Sequence, residues 1–271
     1  MTQKIKIGLA LGGGGAKGLA HIGVLKVLER EGIEISAIAG TSAGALLGSA
    51  YALSISLTEL ETEVKKLSAL GAWNDILSLG DIRHSLIGNS DLLAYLNRLL
   101  KFSDFQHLKI PLSIVATSLE DGREIILTQG SLAEAVLASS SIPGVLPPVF
   151  QDGLYLIDGG VVNQTPVSVV DAMGVDLVIA VDLMLNAHQD LMDPNIIEVI
   201  LQSYEIIRKQ SVKYSLQQAR PGYILIQPVF SAMADTFKFQ NAEEFIRAGE
   251  LAAEAVLPLL LPLAKGEVGR G

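Results

Sequence analysis

Cysteine is absent from this 271-residue chain. That excludes a disulfide framework, a thiolate nucleophile and cysteine-ligated zinc, and it leaves no sign of an oxidising compartment. Positive charge is also scarce. Twenty Lys and Arg against 29 Asp and Glu give a formal net charge of −9, so a phosphate backbone, which needs a basic face, is a poor partner and no nucleic acid is expected. Charged residues make up 18% and hydrophobic residues 49%, which calls for either a large core or some sticky surface. Residues 1–8 run straight into a strand pattern, so no signal peptide is expected and the expected location is cytoplasmic. Long hydrophobic runs that could span a membrane are missing too. Residues 35–58 carry no charge, but Gly40, Gly44 and Gly48 and several hydroxyl residues interrupt them, as in a buried strand-turn-helix. Leu251 to Ala264 contains Glu254, Pro258 and Pro262, so it is not a span either.

What is present is an alternation of short apolar strands and amphipathic helices. Strands are expected at Ile5 to Leu11, Ile35 to Ala39, Ile110 to Ala116, Glu124 to Thr128, Leu154 to Ile157, Leu177 to Val181 and Tyr223 to Gln227. Helices are expected at Leu19 to Glu31, from Ser42 to about Leu53, and at Leu57 to Leu70, Asp91 to Leu100, Leu132 to Ser139, Pro166 to Met173, Asp193 to Gln217 and Ala242 to Leu257. Glu120-Asp121-Gly122 marks a hairpin between the third and fourth strands. This pattern points to one α/β domain with both sheet faces covered. No internal repeat, low-complexity segment or linker divides it.

The pivotal stretch is Gly40-Thr41-Ser42-Ala43-Gly44, between a strand and a helix. A Gly-x-Ser-x-Gly turn in that setting exposes a serine hydroxyl on a sharp bend at the top of a sheet. Upstream, Gly12-Gly13-Gly14-Gly15-Ala16-Lys17-Gly18 follows the first strand. Its Gly-x-Gly-x-x-Gly spacing fits a dinucleotide turn, yet the second strand ends in Gly40-Thr41-Ser42, without the ribose-binding carboxylate such a site needs. The other use of such a loop is an oxyanion hole at a helix N-terminus, where one donor is worth about 3–4 kcal/mol to acyl transfer. If the first two strands are neighbours, nucleophile and anion trap open at one sheet edge.

The activating base has two candidate solutions. His188 follows Asp158 and completes a Ser-Asp-His order, while His21 lies one turn into the first helix, where a structural role is expected, and His84 and His107 sit in loops. Alternatively Asp158, at the end of the strand Leu154-Tyr155-Leu156-Ile157 and before two glycines, takes the serine proton directly. An aspartate near its ordinary value of ~3.9 is a weak base, so that solution needs a dry site.

Three segments together, Gly13-Gly14-Gly15-Ala16-Lys17-Gly18, Gly40-Thr41-Ser42-Ala43-Gly44 and Asp158-Gly159-Gly160, resemble the patatin-like phospholipase family. The stretch Ser139 to Pro148 resembles that family's serine- and proline-containing block. The resemblance extends from about Ile5 to Asp182 and is strongest to small bacterial members and to the neuropathy target esterase catalytic domain. It implies a single three-layer α/β/α domain over residues 5–264 with a mostly parallel sheet. It implies a Ser-Asp dyad, Ser42 as nucleophile and Asp158 as general base, with no catalytic histidine, metal or cofactor. It also implies an oxyanion hole from Gly14 and Gly15, with Gly13 adjoining, and a bracing role for Lys17. The implied substrate is a lipid ester, a phospholipid or lysophospholipid, with a carboxylester or thioester, or a regulatory role with little catalysis, as alternatives. Peripheral contact with the inner membrane face, through a lid or rim at Gly71 to Asn89, is a hypothesis. The region after Asn186 carries no family motif.

Overall fold

Large residues on one face of the sheet and small ones on the other set the architecture. A computed structural model describes residues 5–70, 90–184, 196–219, 221–230 and 241–264. In strand β1 (Ile7–Leu11), Ile7, Leu9 and Leu11 join one core and Ala10 joins a second. Strand β2 (Ile35–Thr41) likewise gives Ile38 to the first core and Ala37 and Ala39 to the second. Strand β7 (Leu177–Val181) divides the same way, Leu177, Ile179 and Val181 against Val178 and Ala180.

Helices α1 (Ala20–Arg30), α2 (Ala43–Ala52), α3 (Leu57–Leu70), α4 (Ser90–Leu99), α5 (Leu132–Ser139) and α8 (Ala242–Ala264) cover the large-residue face. Helices α6 (Val167–Ala172) and α7 (Ile196–Gln218) cover the small-residue face, where alanines let helices come close to the strands. The result is a three-layer α/β/α fold, with strand interiors buried on both sides as parallel sheets require.

Strands β1, β2, β3 (Leu112–Ser118), β7 and β8 (Ile224–Ile226) run parallel, in the order β3-β2-β1-β7-β8. The adjacency of β1 and β2 brings both glycine turns to one sheet edge, as expected from the sequence. Strand β4 (Glu124–Leu127) forms the expected hairpin with β3, pairing Ile114 with Leu127 through Thr117 with Glu124. Strand β6 (Leu154–Asp158) also pairs antiparallel with β3, at Ala116 to Ser118. The β4 register overlaps both the β2 register and the β6 register on β3, so β4 occupies one edge of β3 and the other two share the opposite edge. Thr41 pairs with Val115 and Asp158 with the next residue, Ala116. The C-terminal ends of β2 and β6 therefore meet head to head.

Two elements differ from the sequence reading. Strand β5 (Val149–Gln151) was not anticipated, because two prolines precede it and only three residues pair, with β6. Helix α8 continues past Leu257 to Ala264 through Pro258 and Pro262. The prolines stand four residues apart, so their missing N–H groups fall on one side of the helix, and Leu260 between them is fully buried. Lys26 of α1 bridges Glu61 of α3 at 2.9 Å and Glu250 of α8 at 3.3 Å, fastening this layer. Among the described residues no helix is long and apolar enough to cross a membrane.

Candidate active site

Ser42 sits where β2 ends and α2 begins, with φ 53° and ψ −119°. Side chains resist that region at a cost of about 1–3 kcal/mol, which the surroundings must sustain. The motif glycines let the bend close. A Cβ at Gly44 would overlap the carbonyl oxygen of Leu11, and one at Gly40 would stand 2.6 Å from the carbonyl oxygen of Gly44. Hydrogen bonds then hold the strained residue. The Ser42 N–H donates to Ser139 Oγ at 2.8 Å, and that hydroxyl donates to the Val115 carbonyl at 2.6 Å. Next to it, the Thr41 hydroxyl donates to the Asn163 carbonyl at 2.8 Å.

Asp158 arrives at the same place from β6 and is fully buried. Its Oδ1 accepts from the Gly160 N–H at 2.7 Å, while its carbonyl accepts from Thr117 Oγ1 at 2.9 Å. Burial pushes its carboxyl above the usual carboxylate range; the Arg208 guanidinium pulls hardest the other way, followed by the Gly160 N–H and the hydroxyls of Ser42 and Tyr204. Both hydroxyls thus act on the carboxyl, yet neither closes a well-formed hydrogen bond to Oδ2, which has no partner among the described residues.

Helix α7 supplies the rest of this wall. Tyr204, Arg208, Ser211 and Ser215 recur at three- to four-residue spacing and are all buried. Arg208 donates from Nε to Gln164 Oε1 and from Nη1 to Glu205 Oε1, both at 2.9 Å. Its guanidinium carbon lies 5.2 Å from the centre of the Tyr204 ring. Ser211 Oγ accepts from the Gln164 N–H at 3.0 Å, and the Ser215 hydroxyl donates to Asn163 Oδ1 at 2.8 Å.

The glycine loop closes the circuit. Gln164 Nε2 donates to the Gly13 carbonyl at 2.6 Å, and the Gly13 N–H donates to the Gln164 carbonyl at 3.0 Å. With its N–H so committed, Gly13 adjoins the expected donors Gly14 and Gly15 without offering its own. Gly14 and Gly15 open the short 3-10 turn Gly15–Leu19, where backbone N–H groups have no partner within the turn. Lys17 is buried on this turn. Beneath the loop, His21 Nε2 lies 2.7 Å from the Gly12 carbonyl. Burial holds the His21 imidazole down at about 4, against a weaker upward pull from that carbonyl.

The other side of Ser42 is apolar. Ser42 and Gly15 form part of the wall of a cavity of about 140 Å³, which extends between Leu46, Leu47 and Ala50 of α2, Leu60 and Val64 of α3, Leu92 and Leu96 of α4, and Val136 of α5. Glu63 is the one charged residue in that lining among the described residues.

Sequence reading put the two glycine turns at one sheet edge and named Asp158 as a partner for Ser42; the structure brings all three segments to that edge. It assigns His21 to bracing the glycine loop, and His107 to a local turn where its Nδ1 accepts from the Asp104 N–H at 3.0 Å. His84 and His188, and the Gly71 to Asn89 segment suggested as a lid, lie outside the described residues. Arg208, Tyr204, Gln164 and Ser139 were missed. No local signal marked them: on α7 the buried stripe carries Tyr204, Arg208, Ser211 and Ser215, while Val199, Ile200, Ile206 and Ile207 are exposed.

The patatin-like phospholipase family model matches residues 9–171, more than half of the chain. Patatin-like phospholipase domain-containing protein 6 of Mus musculus is 34% identical over 189 residues, 68% of this chain and 14% of that protein. Lysophospholipase NTE1 of Yarrowia lipolytica is 35% identical over 179 residues, 65% of this chain and 12% of that protein. The chain thus spans a small part of the length of these relatives. Among solved structures, VipD from Legionella pneumophila shares the fold with a TM-score of 0.53 at 16% identity, covering 95% of this chain and 67% of that one.

Proposed function

This chain belongs to the patatin-like phospholipase family, and on that premise we propose that it is a serine acyl hydrolase cleaving fatty acyl esters of phospholipids or lysophospholipids. The observation that carries the reading is the head-to-head meeting of β2 and β6 on β3. It sets a strained serine at the wall of an apolar cavity, with a dry carboxyl behind it.

Asp158 Oδ2 takes the Ser42 proton as Oγ attacks the ester carbonyl. Its burial makes it a stronger base than a solvated carboxylate. The Gly14 and Gly15 N–H groups meet the oxyanion, and Lys17 braces their turn. Asp158 returns the proton to the departing alcohol, which leaves an acyl-Ser42. Water deprotonated by Asp158 then attacks this ester, and the fatty acid leaves as Ser42 is restored. The cavity takes the acyl chain, which suits kinship with the yeast protein named a lysophospholipase.

The test joins a fluorophosphonate probe, located by mass spectrometry, to hydrolysis of a lysophospholipid. Wild type is expected to carry the adduct on Ser42 and to release fatty acid, and Ser42→Ala to do neither. A Ser42→Ala protein cleaving the lipid at the wild-type rate would overturn the proposal.

A further inference from the structure

Helix α7 lies wholly beyond the matched residues 9–171, yet three of its side chains engage the loop that follows Asp158. Ser215 holds Asn163, whose carbonyl receives the Thr41 hydroxyl beside the nucleophile. Ser211 and Arg208 hold Gln164, which exchanges two hydrogen bonds with Gly13. We infer that Arg208 and Tyr204 are positioning residues of the hydrolase: they hold Asp158 as an aimed carboxylate and tie it to the glycine loop. This inference rests on the reading of Asp158 as the base.

The geometry gives Arg208 that role. Its guanidinium is buried and pinned on three sides, by Gln164 Oε1, Glu205 Oε1 and the Tyr204 ring. Its remaining nitrogen, Nη2, is buried without a partner among the described residues. A Cβ on Gly13 would meet that nitrogen at 3.2 Å and Ser42 Cβ at 3.1 Å. The breadth of one methyl group thus separates the cation from the nucleophile. An ionised carboxylate in a dry site is costly unless a fixed charge of opposite sign stands near. Arg208 provides it, while Glu205 on the outer side offsets part of its charge. A Cβ on Gly160 would stand 3.0 Å from Asp158 Oδ1 and 3.2 Å from Arg208 Nε, so carboxyl and guanidinium flank the same glycine; Ser42, Tyr204 and the Gly160 N–H are the other groups that favour the ionised carboxyl.

The sign of the effect follows. Removing the Arg208 charge removes the largest influence favouring ionised Asp158, so the carboxyl stays protonated to higher pH and the acid limb of kcat/KM moves upward. A purely structural arginine would lower activity without moving that limb.

The experiment measures kcat/KM against pH on a soluble nitrophenyl ester for wild type, Arg208→Gln, Arg208→Lys, Tyr204→Phe and Asp158→Asn, with thermal melts to establish folding. Arg208→Gln is expected to shift the acid limb to higher pH and to lose up to roughly a hundredfold at neutral pH. Arg208→Lys, which keeps the charge, should hold the limb near wild type, and Tyr204→Phe should move it in the same direction as Arg208→Gln but less. A folded Arg208→Gln protein with the wild-type limb overturns the inference. If Arg208→Gln does not fold, Tyr204→Phe, which removes one oxygen, decides: an unmoved limb overturns it. Asp158→Asn at the wild-type rate would overturn the dyad itself, whatever the Arg208 profiles show.

Discussion

Ser42 stands between two walls built on opposite principles. The wall behind it, from Asp158 to Arg208, Gln164 and Gly13, is polar, buried and bound together by short hydrogen bonds. The wall in front is the leucine- and alanine-lined cavity between α2, α3, α4 and α5, with little to fix any one ligand atom. Hydrogen bonds are directional and an unsatisfied buried one is costly, so the polar wall admits few arrangements. Apolar contact is non-directional and roughly proportional to area, so the cavity admits any chain that fits. Under the proposed function the contrast is a division of labour, with rate set at the back wall and substrate choice at the front.

Asp158→Asn should have the largest effect. The amide keeps an oxygen for the Gly160 N–H but cannot take a proton from Ser42, so kcat should fall by about 10²–10⁴-fold. The cavity is untouched, so KM for a lysophospholipid should hardly move. Steady-state kinetics with both constants resolved make the check. A variant whose KM rose while kcat stood still would place Asp158 in binding and erase the division.

His21 tests whether the back wall is also where pH acts on stability. Its folded value of about 4 lies below the ordinary 6.5, so between these values the unfolded chain binds the extra proton. The stability that depends on a neutral His21 is complete above pH 6.5 and is lost as pH falls toward 4, in all about 3 kcal/mol, on the order of a few hundredfold in the folding equilibrium. His21→Gln keeps a neutral donor in reach of the Gly12 carbonyl and has no such proton to gain. Urea unfolding at pH 7 and pH 4.5 should show wild type losing more stability than the variant. Parallel losses would show that the histidine under the glycine loop has no part in the acid response.

The two walls were also unequally legible in the sequence. Ser42, the glycines and Asp158 announce themselves because sharp turns demand particular residues at fixed local spacing, and the strands around them alternate or run apolar as strands must. Arg208 lies fifty positions beyond Asp158, on a helix without a motif. Nothing local says that it turns inward, since an arginine on a helix is ordinarily a solvated charge. Its pairing with Gln164 exists only once α7 lies across the small-residue face of the sheet. The head-to-head approach of β2 and β6 was hidden for the same reason: it depends on which edge of β3 each strand takes, and that is decided by pairing partners far apart in the chain. The cavity was foreshadowed only by the apolar composition.

That cavity supports the smallest effect per step and the sharpest use of the comparison. Burying one further methylene is worth about 0.8 kcal/mol, or roughly fourfold in kcat/KM, for as long as there is wall to receive it. Across nitrophenyl esters of increasing acyl length, kcat/KM should climb by that factor and then level off where the cavity is full. Ala50 lines it from the last turn of α2 and is fully buried, so Ala50→Leu should move the plateau to shorter chains while leaving the acid limb of the pH profile in place. Arg208→Gln should do the reverse, shifting the limb and sparing the plateau. If Ala50→Leu shifted the limb, or left the plateau where it was, the two walls would not be separate devices, and the acyl chain would have to lie elsewhere.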